Sequence, residues 1–307
     1  MRRPQTAATA VGLAVGVAAI STSPILVRVA QLPAFALAFW RCLAGALLLA
    51  PFAVRGGRPA RGELRQLAGS GTLLALHFAC FNASLAFTTV ASATLLVSMS
   101  PLFVGLGAAR FLGEAPSRRG WLGIWLATGG AVVVALGDLG AVRLGARALV
   151  GDLLAFAGAL LIAGYLLIGR SARRRLPVAI YGAAVYGAAA VVLLPLCLAT
   201  GAPLGGYRAG SWLALAAVVA GPQLLGHTVF NGLLSTLTAA TVAVVILLEP
   251  VGATVLAWWL FREVPAGLFW VGAPLVLAGV WLATAQPPPA PGRPGPPPAP
   301  DGAAAPG

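Results

Sequence analysis

The sequence contains a succession of apolar segments, each close to 20 residues long, separated by short loops that carry most of the arginines. An apolar segment of about 20 residues crosses a bilayer as a helix, whereas the strands of membrane barrels alternate over about 10 residues. Only helices and closed barrels satisfy their backbone hydrogen bonds inside lipid. Charged residues make up 9% of the chain, against about 25% in soluble domains. These features predict an all-α, polytopic membrane protein embedded in the lipid bilayer.

Ten transmembrane helices are predicted from hydropathy and loop composition. The first apolar run is interpreted as an uncleaved helix and not as a signal peptide, because nine further spans follow it. The last segment, 287–307, is rich in Pro, Ala and Gly and is predicted to be a disordered tail. The predicted spans are 8–27, 34–54, 67–87, 90–112, 119–137, 150–169, 178–200, 211–235, 238–261 and 264–285.

The distribution of arginine predicts the orientation. With a cytoplasmic N-terminus, the inside segments hold 14 arginines and the outside segments hold 5. Since short cytoplasmic loops are enriched in Lys and Arg, both termini are predicted to be cytoplasmic, in the cell (inner) membrane. The net charge of +13 is thereby attributed to membrane orientation, and no nucleic-acid partner is expected.

An internal repeat relates the two halves of the chain. Each half contains five predicted helices, an odd number, so the second half is expected to enter the membrane in the opposite orientation. This predicts two inverted repeats, 1–137 and 150–286, joined by a linker at 138–149. Inverted repeats are typical of transporters that alternate around a central site. A shift of 149 residues pairs Phe81-Asn82 with Phe230-Asn231, Pro101 with Pro250, Glu114 with Glu263, Pro116 with Pro265, Trp121 with Trp270, Gly123 with Gly272, and Gly130 with Gly279.

Each half ends in a similar pattern, in which a proline is followed thirteen residues later by a glutamate and then by a Gly-rich helix. The two copies read ASATLLVSMSPLFVGLGAARFLGEAPSRRGWLGIWLATGGAVVVAL and AATVAVVILLEPVGATVLAWWLFREVPAGLFWVGAPLVLAGVWLATA. Together with the duplication and the number of spans, this repeated pattern resembles the EamA domain of the drug/metabolite transporter superfamily. The resemblance implies ten spans and secondary transport, commonly export, of amino acids, nucleobase-like metabolites or drugs. It does not identify the small-molecule substrate.

Glu249 is the sharpest candidate for the chemistry of transport, because it is the acidic residue that falls in the middle of a predicted span. A charge at the centre of a membrane helix costs about 2.5–3.5 kcal/mol on insertion scales and usually faces a cavity or a partner. The adjacent Pro250 is expected to kink the helix, as is its repeat counterpart Pro101. Glu249 is predicted to bind and release a proton during transport; alternatively, it is a structural group, protonated or paired with Arg.

Gln223, His227 and Asn231 are spaced at i, i+4 and i+8 in the eighth span, which would place them on one face of an α-helix. They are predicted to line the substrate cavity; the alternative is hydrogen bonding between helices. Asn82 is the repeat counterpart of Asn231 and is a further candidate. His77, one residue out of register with His227, is a weaker one.

Arg41 and Trp40 lie within the second predicted span. Arg41 either extends to the membrane surface, pairs with Glu249, or binds a substrate carboxylate bidentately. Trp40 is a candidate for stacking on a planar or cationic ligand. Glu114 and Glu263, by contrast, precede helix-opening prolines and are interpreted as structural acids near helix N-termini.

The sequence contains no Walker A, HExxH, CxxC or GxSxG motif. It therefore does not support ATP-driven transport or hydrolysis. The three cysteines lack metal-ligand or disulfide spacing, so no metal, cofactor or enzymatic activity is expected. The predicted function is a secondary transporter, with proton coupling through Glu249. The alternatives are an exchanger or facilitator without proton coupling and a non-transporting sensor or assembly protein. A homodimer is compatible with the sequence but has no specific signal.

Overall fold

The computed structural model describes residues 7–137, 146–262, 264–265 and 267–285, and all regular secondary structure in these ranges is helical. The all-α prediction is confirmed. Glu263 and the predicted tail lie outside the described residues. The helical segments are α1 (Ala7–Ala30), α2 (Ala34–Arg55), α3 (Arg61–Ser84), α4 (90–112), α5 (Arg118–Leu136), α6 (Ala146–Arg173), α7 (Val178–Ala199), α8 (Ala209–Leu233), α9 (Ala239–Phe261) and α10 (Phe269–Thr284).

Eight of these segments are long and apolar enough to cross a membrane. The other two are α3 and α10, which coincide with the third and tenth predicted spans. α3 has 24 residues but begins with a polar turn that contains Arg61, Glu63 and Arg65, and α10 has 16 residues. α6 begins at Ala146, so its first turn lies in the stretch predicted as a linker.

Glycines determine how closely α5 and α10 pack. A Cβ atom added to Gly123 would lie 2.7 Å from the carbonyl oxygen of Gly279, and one added to Gly130 would lie 2.7 Å from that of Gly272. The residue order runs in opposite directions along the two helices, which are therefore antiparallel. Small residues allow this direct backbone contact, which is a common basis of helix association in membranes.

Three further pairs of helices from the two halves of the chain also pack antiparallel. These pairs are α2 with α7, α3 with α6, and α1 with α8. Their register is seen in the contacts of Gly56 with Ile180 and Gly182 with Leu49, of Gly158 with His77 and Gly164 with Leu73, and of Gly12 with Leu233 and Gly226 with Ile20.

α4 and α9 begin and break at corresponding positions. Each starts with a threonine cap, because the hydroxyls of Thr89 and Thr238 accept hydrogen bonds from backbone N–H groups three residues later, both at 3.1 Å. The first part of α4 ends at Val97 and the first part of α9 at Ile246. The second parts, which contain the two prolines predicted to kink their helices, are Ser100–Gly107 with Pro101 and Leu248–Phe261 with Pro250.

α8 departs from regular α-helical geometry. Its middle, Val219–Thr228, is a π-helix that contains Pro222. Proline lacks an N–H group and clashes with the preceding turn, which favours such a local rearrangement. Gln223 and His227 both lie in this stretch, so their spacing is that of a π-helix and not that of the α-helix assumed from the sequence.

Candidate functional site

Arg41 of α2 and Gln223 of α8 form a direct hydrogen bond inside the helix bundle. The Arg41 Nε donates to Gln223 Oε1 over 2.7 Å, and both side chains are buried. Arg41 is 6% exposed, so its guanidinium points into the bundle and does not extend to the membrane surface. The π-helical stretch of α8 positions the glutamine opposite α2.

The guanidinium of Arg41 is incompletely satisfied by the protein. Its carbon lies 5.2 Å from the centroid of the Phe78 ring on α3, which is within the range of a cation–π contact. The buried nitrogen Nη2 has no hydrogen-bonding partner among the residues that the structure describes. The rings of His77 and His227 also lie against Phe78, at 5.5 and 6.5 Å between centroids, and Glu249 is an electrostatic neighbour of Arg41. The name Arg41 cluster is used below for these side chains: Arg41, Gln223, Phe78, His77, His227 and Glu249.

Glu249 lies in the first turn of the second part of α9, directly after the break at Leu247. Its side chain is half-buried. Within the part of the chain that the structure describes, its carboxylate forms no direct ion pair with an arginine. An acid at this position is favoured by the helix dipole and acts on Arg41 through space.

The two histidines occupy the same region from different helices. His77 Nδ1 is 2.9 Å from the carbonyl oxygen of Gly158 on α6, and the His77 ring is parallel to that of Phe81. His227 meets the Phe78 ring edge-on at 6.5 Å between centroids. Both imidazoles are half-buried, so this part of the cluster is less tightly enclosed than Arg41.

Both polar side-chain atoms of Asn231 are hydrogen-bonded within the protein. Its Oδ1 accepts from the Tyr165 hydroxyl at 2.7 Å, and its Nδ2 donates to the Tyr186 hydroxyl at 3.1 Å. The Tyr186 hydroxyl is also 3.0 Å from that of Thr228. This is the hydrogen bonding between helices that was the alternative interpretation of the polar residues of α8.

Trp40 and Asn82 have contacts away from the Arg41 cluster. The indole N–H of Trp40 donates to the carbonyl of Leu204 at 3.0 Å, and its ring meets Trp212 edge-on. Asn82 Nδ2 donates to the carbonyl of Ala34 at 3.3 Å. The structure therefore brings Arg41, Gln223, His77, His227 and Glu249 into one cluster and places these two residues elsewhere.

The tyrosines and Phe78 were not predicted as site residues. A signal was present in the sequence, because three of the four tyrosines, Tyr165, Tyr181 and Tyr186, lie in the adjacent helices α6 and α7. Tyr181 bonds to Ser70 of α3 at 2.7 Å. Each of the three hydroxyls therefore bonds to a residue on another helix.

A second polar cluster, also not predicted, surrounds Glu114. The Glu114 carboxylate is buried and accepts hydrogen bonds from Arg170 Nε at 2.9 Å, from Arg170 Nη2 at 2.6 Å, and from Arg174. Gly113, in the left-handed region at φ 64°, turns the chain after α4, and the Glu114 N–H bonds back to the carbonyl of Ala108 at 3.0 Å. Arg170 also donates to the carbonyl of Leu234 at 2.6 Å. The name Glu114 cluster is used below for Glu114, Arg170, Arg174 and Leu234.

Comparison with known proteins gives the family. The sequence matches the EamA-like transporter family over residues 8–136 and 149–285. The protein belongs to this family. A curated relative from Archaeoglobus fulgidus, described as an uncharacterized transporter, is 28% identical over 271 residues, which cover 85% of this chain and 91% of the relative. A solved crystal structure of a protein shares the fold with a TM-score of 0.76 at 21% identity, covering 90% of this chain and 97% of that chain.

Membership of the EamA-like family confirms a multi-pass membrane transporter and the prediction that the protein is not an enzyme. Two pairs of corresponding residues differ in their exposure. Leu234, in the Glu114 cluster, is 0% exposed, whereas its repeat counterpart Leu85 is 37% exposed. Asn231 is 1% exposed and its counterpart Asn82 is half-buried. Corresponding residues of the two halves thus occupy different environments.

Proposed function

We propose that the protein is a secondary transporter that moves a small solute across the cell membrane by alternating access. In this proposal the Arg41 cluster is the substrate site, and Glu249 couples transport to the movement of protons. Ten helices cross the membrane as two inverted repeats, 1–137 and 150–286, with both termini in the cytoplasm.

The observation that carries the proposal is the packing of α5 on α10. Under the shift of 149 residues, Gly123 corresponds to Gly272 and Gly130 corresponds to Gly279. When each residue is replaced by its repeat counterpart, the contact of Gly123 with Gly279 becomes a contact of Gly272 with Gly130. The structure contains both contacts. Such an exchange between antiparallel helices is the result expected from a two-fold axis in the membrane plane.

The other helix pairs support the same symmetry. In the repeat, α1 corresponds to α6 and α3 corresponds to α8. Replacing each helix by its counterpart therefore turns the pair of α3 and α6 into the pair of α8 and α1. Both packings are present, as is the self-related pair of α2 and α7. The counterparts of α3 and α10 are α8 and α5, which are long and apolar enough to cross a membrane. This favours crossing by all ten helices.

The difference between the two ends of the bundle supports alternating access. The end that contains Leu234 is closed by the Glu114 cluster, whose carboxylate is buried. At the opposite end Leu85 is exposed, and the hydroxyls of Thr88 and Ser92 donate to the half-buried Asp152 of α6, both at 2.7 Å, so we take this end to be the more open of the two. In an inverted-repeat transporter, exchanging the conformations of the two halves closes the open end and opens the closed one. The Glu114 cluster joins the α4–α5 connection of the first half to α6 and α8 of the second, so it must separate when its end opens.

Glu249 has the properties required of a coupling group. Its carboxylate lies next to a break in a membrane helix, is half-buried, and interacts electrostatically with Arg41 of the proposed substrate site. Protonation removes its charge and therefore changes the potential at Arg41. A proton and a substrate at these two residues consequently influence each other's binding, which is the physical basis of coupling.

The test is solute flux in proteoliposomes that contain the purified protein. A panel of labelled amino acids and other metabolites is followed in both directions, with and without an imposed pH gradient. The variants are Glu249→Gln and, as a matched control, Glu63→Gln. Glu63 caps the start of α3 through a 2.8 Å hydrogen bond from the Ala60 N–H, and glutamine preserves an acceptor there.

We expect the pH gradient to drive accumulation by the native protein and the Glu63→Gln control. Glu249→Gln should lose this accumulation and retain exchange of labelled for unlabelled solute. Accumulation by Glu249→Gln at the native rate would reject the coupling role. Flux that does not depend on the pH gradient in any of the three proteins would indicate an exchanger or facilitator. No flux of any compound would favour a sensor or assembly role.

A further inference from the structure

We propose that Arg41 is the anion-binding residue of the transport site and that the transported solute is a monocarboxylate. This inference rests on the proposed function, since it assigns a substrate class to the same site. The observation behind it is Nη2 of Arg41, a buried donor with no hydrogen-bonding partner among the described residues. Arginine remains charged in proteins, so an incompletely paired guanidinium inside a membrane bundle requires a counter-group.

The protein satisfies only part of the guanidinium. Gln223 accepts from Nε, and Phe78 covers one face of the plane. Glutamine is neutral, so this hydrogen bond leaves the positive charge uncompensated. The Nε position is already occupied by Gln223, but the edge formed by the two terminal nitrogens can still bind a carboxylate through two parallel hydrogen bonds. A substrate carboxylate at this edge would pair with Nη2 and neutralise the charge.

The titratable residues in and next to the Arg41 cluster do not replace such a ligand. Glu249 acts on Arg41 through space but forms no direct ion pair with it within the described residues. The hydroxyls of Tyr165 and Tyr186 are already bonded to Asn231. His77 lies against the carbonyl of Gly158, and His227 meets the Phe78 ring.

The charge of the site distinguishes between classes of solute. A phosphate ester carries about two negative charges and is usually bound by clustered cationic groups, whereas the Arg41 cluster contains one arginine. A cationic solute would be repelled by the buried guanidinium of Arg41. The Phe78 ring, between Arg41 and His227, offers apolar surface to the body of the solute. One arginine and one neighbouring aromatic ring favour a singly charged organic acid.

The test compares acids with their neutral isosteres. Acetate, lactate, benzoate and phenylacetate are each paired with the corresponding primary amide. Binding is measured as the rise in the unfolding temperature of the purified protein, and transport as counterflow in proteoliposomes. The variants are Arg41→Gln and Arg41→Lys, with Arg118→Gln as a control at an exposed arginine at the start of α5.

We expect at least one acid to stabilise the native protein and the Arg118→Gln control, and its amide not to do so. In Arg41→Gln the acid concentration needed for half of the effect should rise by about tenfold or more, the loss expected for a charge-assisted hydrogen bond. Arg41→Lys should retain part of the preference for the acid, because lysine retains the charge without the fork geometry.

Equal binding of acids and amides by the native protein would overturn the inference, and this comparison does not depend on whether a variant folds. So would unchanged acid binding by Arg41→Gln, or the absence of stabilisation by every acid. Acid-specific binding without counterflow would support the anion site and reject transport. Counterflow of neutral or cationic solutes with no preference for acids would support transport and reject the anion site.

Discussion

Arg170 donates to Glu114 from Nε at 2.9 Å and from Nη2 at 2.6 Å, and thereby joins the end of α6 to the connection between α4 and α5. The third nitrogen of the same guanidinium, Nη1, donates to the carbonyl of Leu234 at 2.6 Å. One side chain thus connects the two halves of the chain at the closed end of the bundle. In the proposed alternating-access cycle, the Glu114 cluster is therefore a contact that has to separate when that end opens.

Glu114→Gln is expected to open the closed end more often. The amide carries no negative charge, so it weakens the pairing with Arg170 and Arg174 and stabilises the closed form less. The measurement is the rate at which a membrane-impermeant maleimide labels a cysteine introduced at Leu234, in a background without the native cysteines. Labelling should be faster in Glu114→Gln than in the Glu63→Gln control, and equal rates would contradict a gating role.

Alanine substitution of two adjacent glycines in α5 is expected to change the stability of the protein differently. A Cβ atom at Gly130 would lie 2.6 Å from the backbone nitrogen of Val276, whereas one at Gly129 would meet no atom within 4 Å. Gly130→Ala should therefore destabilise the protein by about 1–3 kcal/mol, the usual cost of overpacking. Gly129→Ala should be neutral or slightly stabilising. Thermal unfolding in detergent measures both, and equal unfolding temperatures would contradict the packing of α5 on α10.

The repeat counterparts Asn231 and Asn82 are expected to differ in their effect on stability. Asn231→Ala leaves the buried hydroxyl of Tyr165 without its partner, a loss that costs about 1–3 kcal/mol, and removes one of the two partners of the Tyr186 hydroxyl. Asn82→Ala removes one hydrogen bond, to Ala34, in a half-buried position. Unfolding temperatures should fall clearly for Asn231→Ala and little for Asn82→Ala. A similar loss in both would show that the two environments are more alike than the structure indicates.

The fold was more predictable than the site because its signals are local. Each predicted span coincides with a helix, since apolar length and loop composition act over 20 or so neighbouring residues. The interruptions before Pro101 and Pro250 likewise follow from one residue type, which cannot continue a regular helix. The π-helix around Pro222 was missed, because a helix was assumed to keep one period throughout.

The sequence by itself determined the helices, the duplication and the isolation of Arg41 and Glu249 within apolar surroundings, because these are properties of short segments and of their comparison. Only the tertiary structure decided that Arg41 bonds to Gln223, 182 positions away, and that Glu114 accepts from Arg170 and Arg174. The physical reason is that lipid is as apolar as the helices it surrounds, so hydropathy does not choose helix partners. Close packing at glycines and hydrogen bonds between helices make that choice, and both depend on residues far apart in the chain.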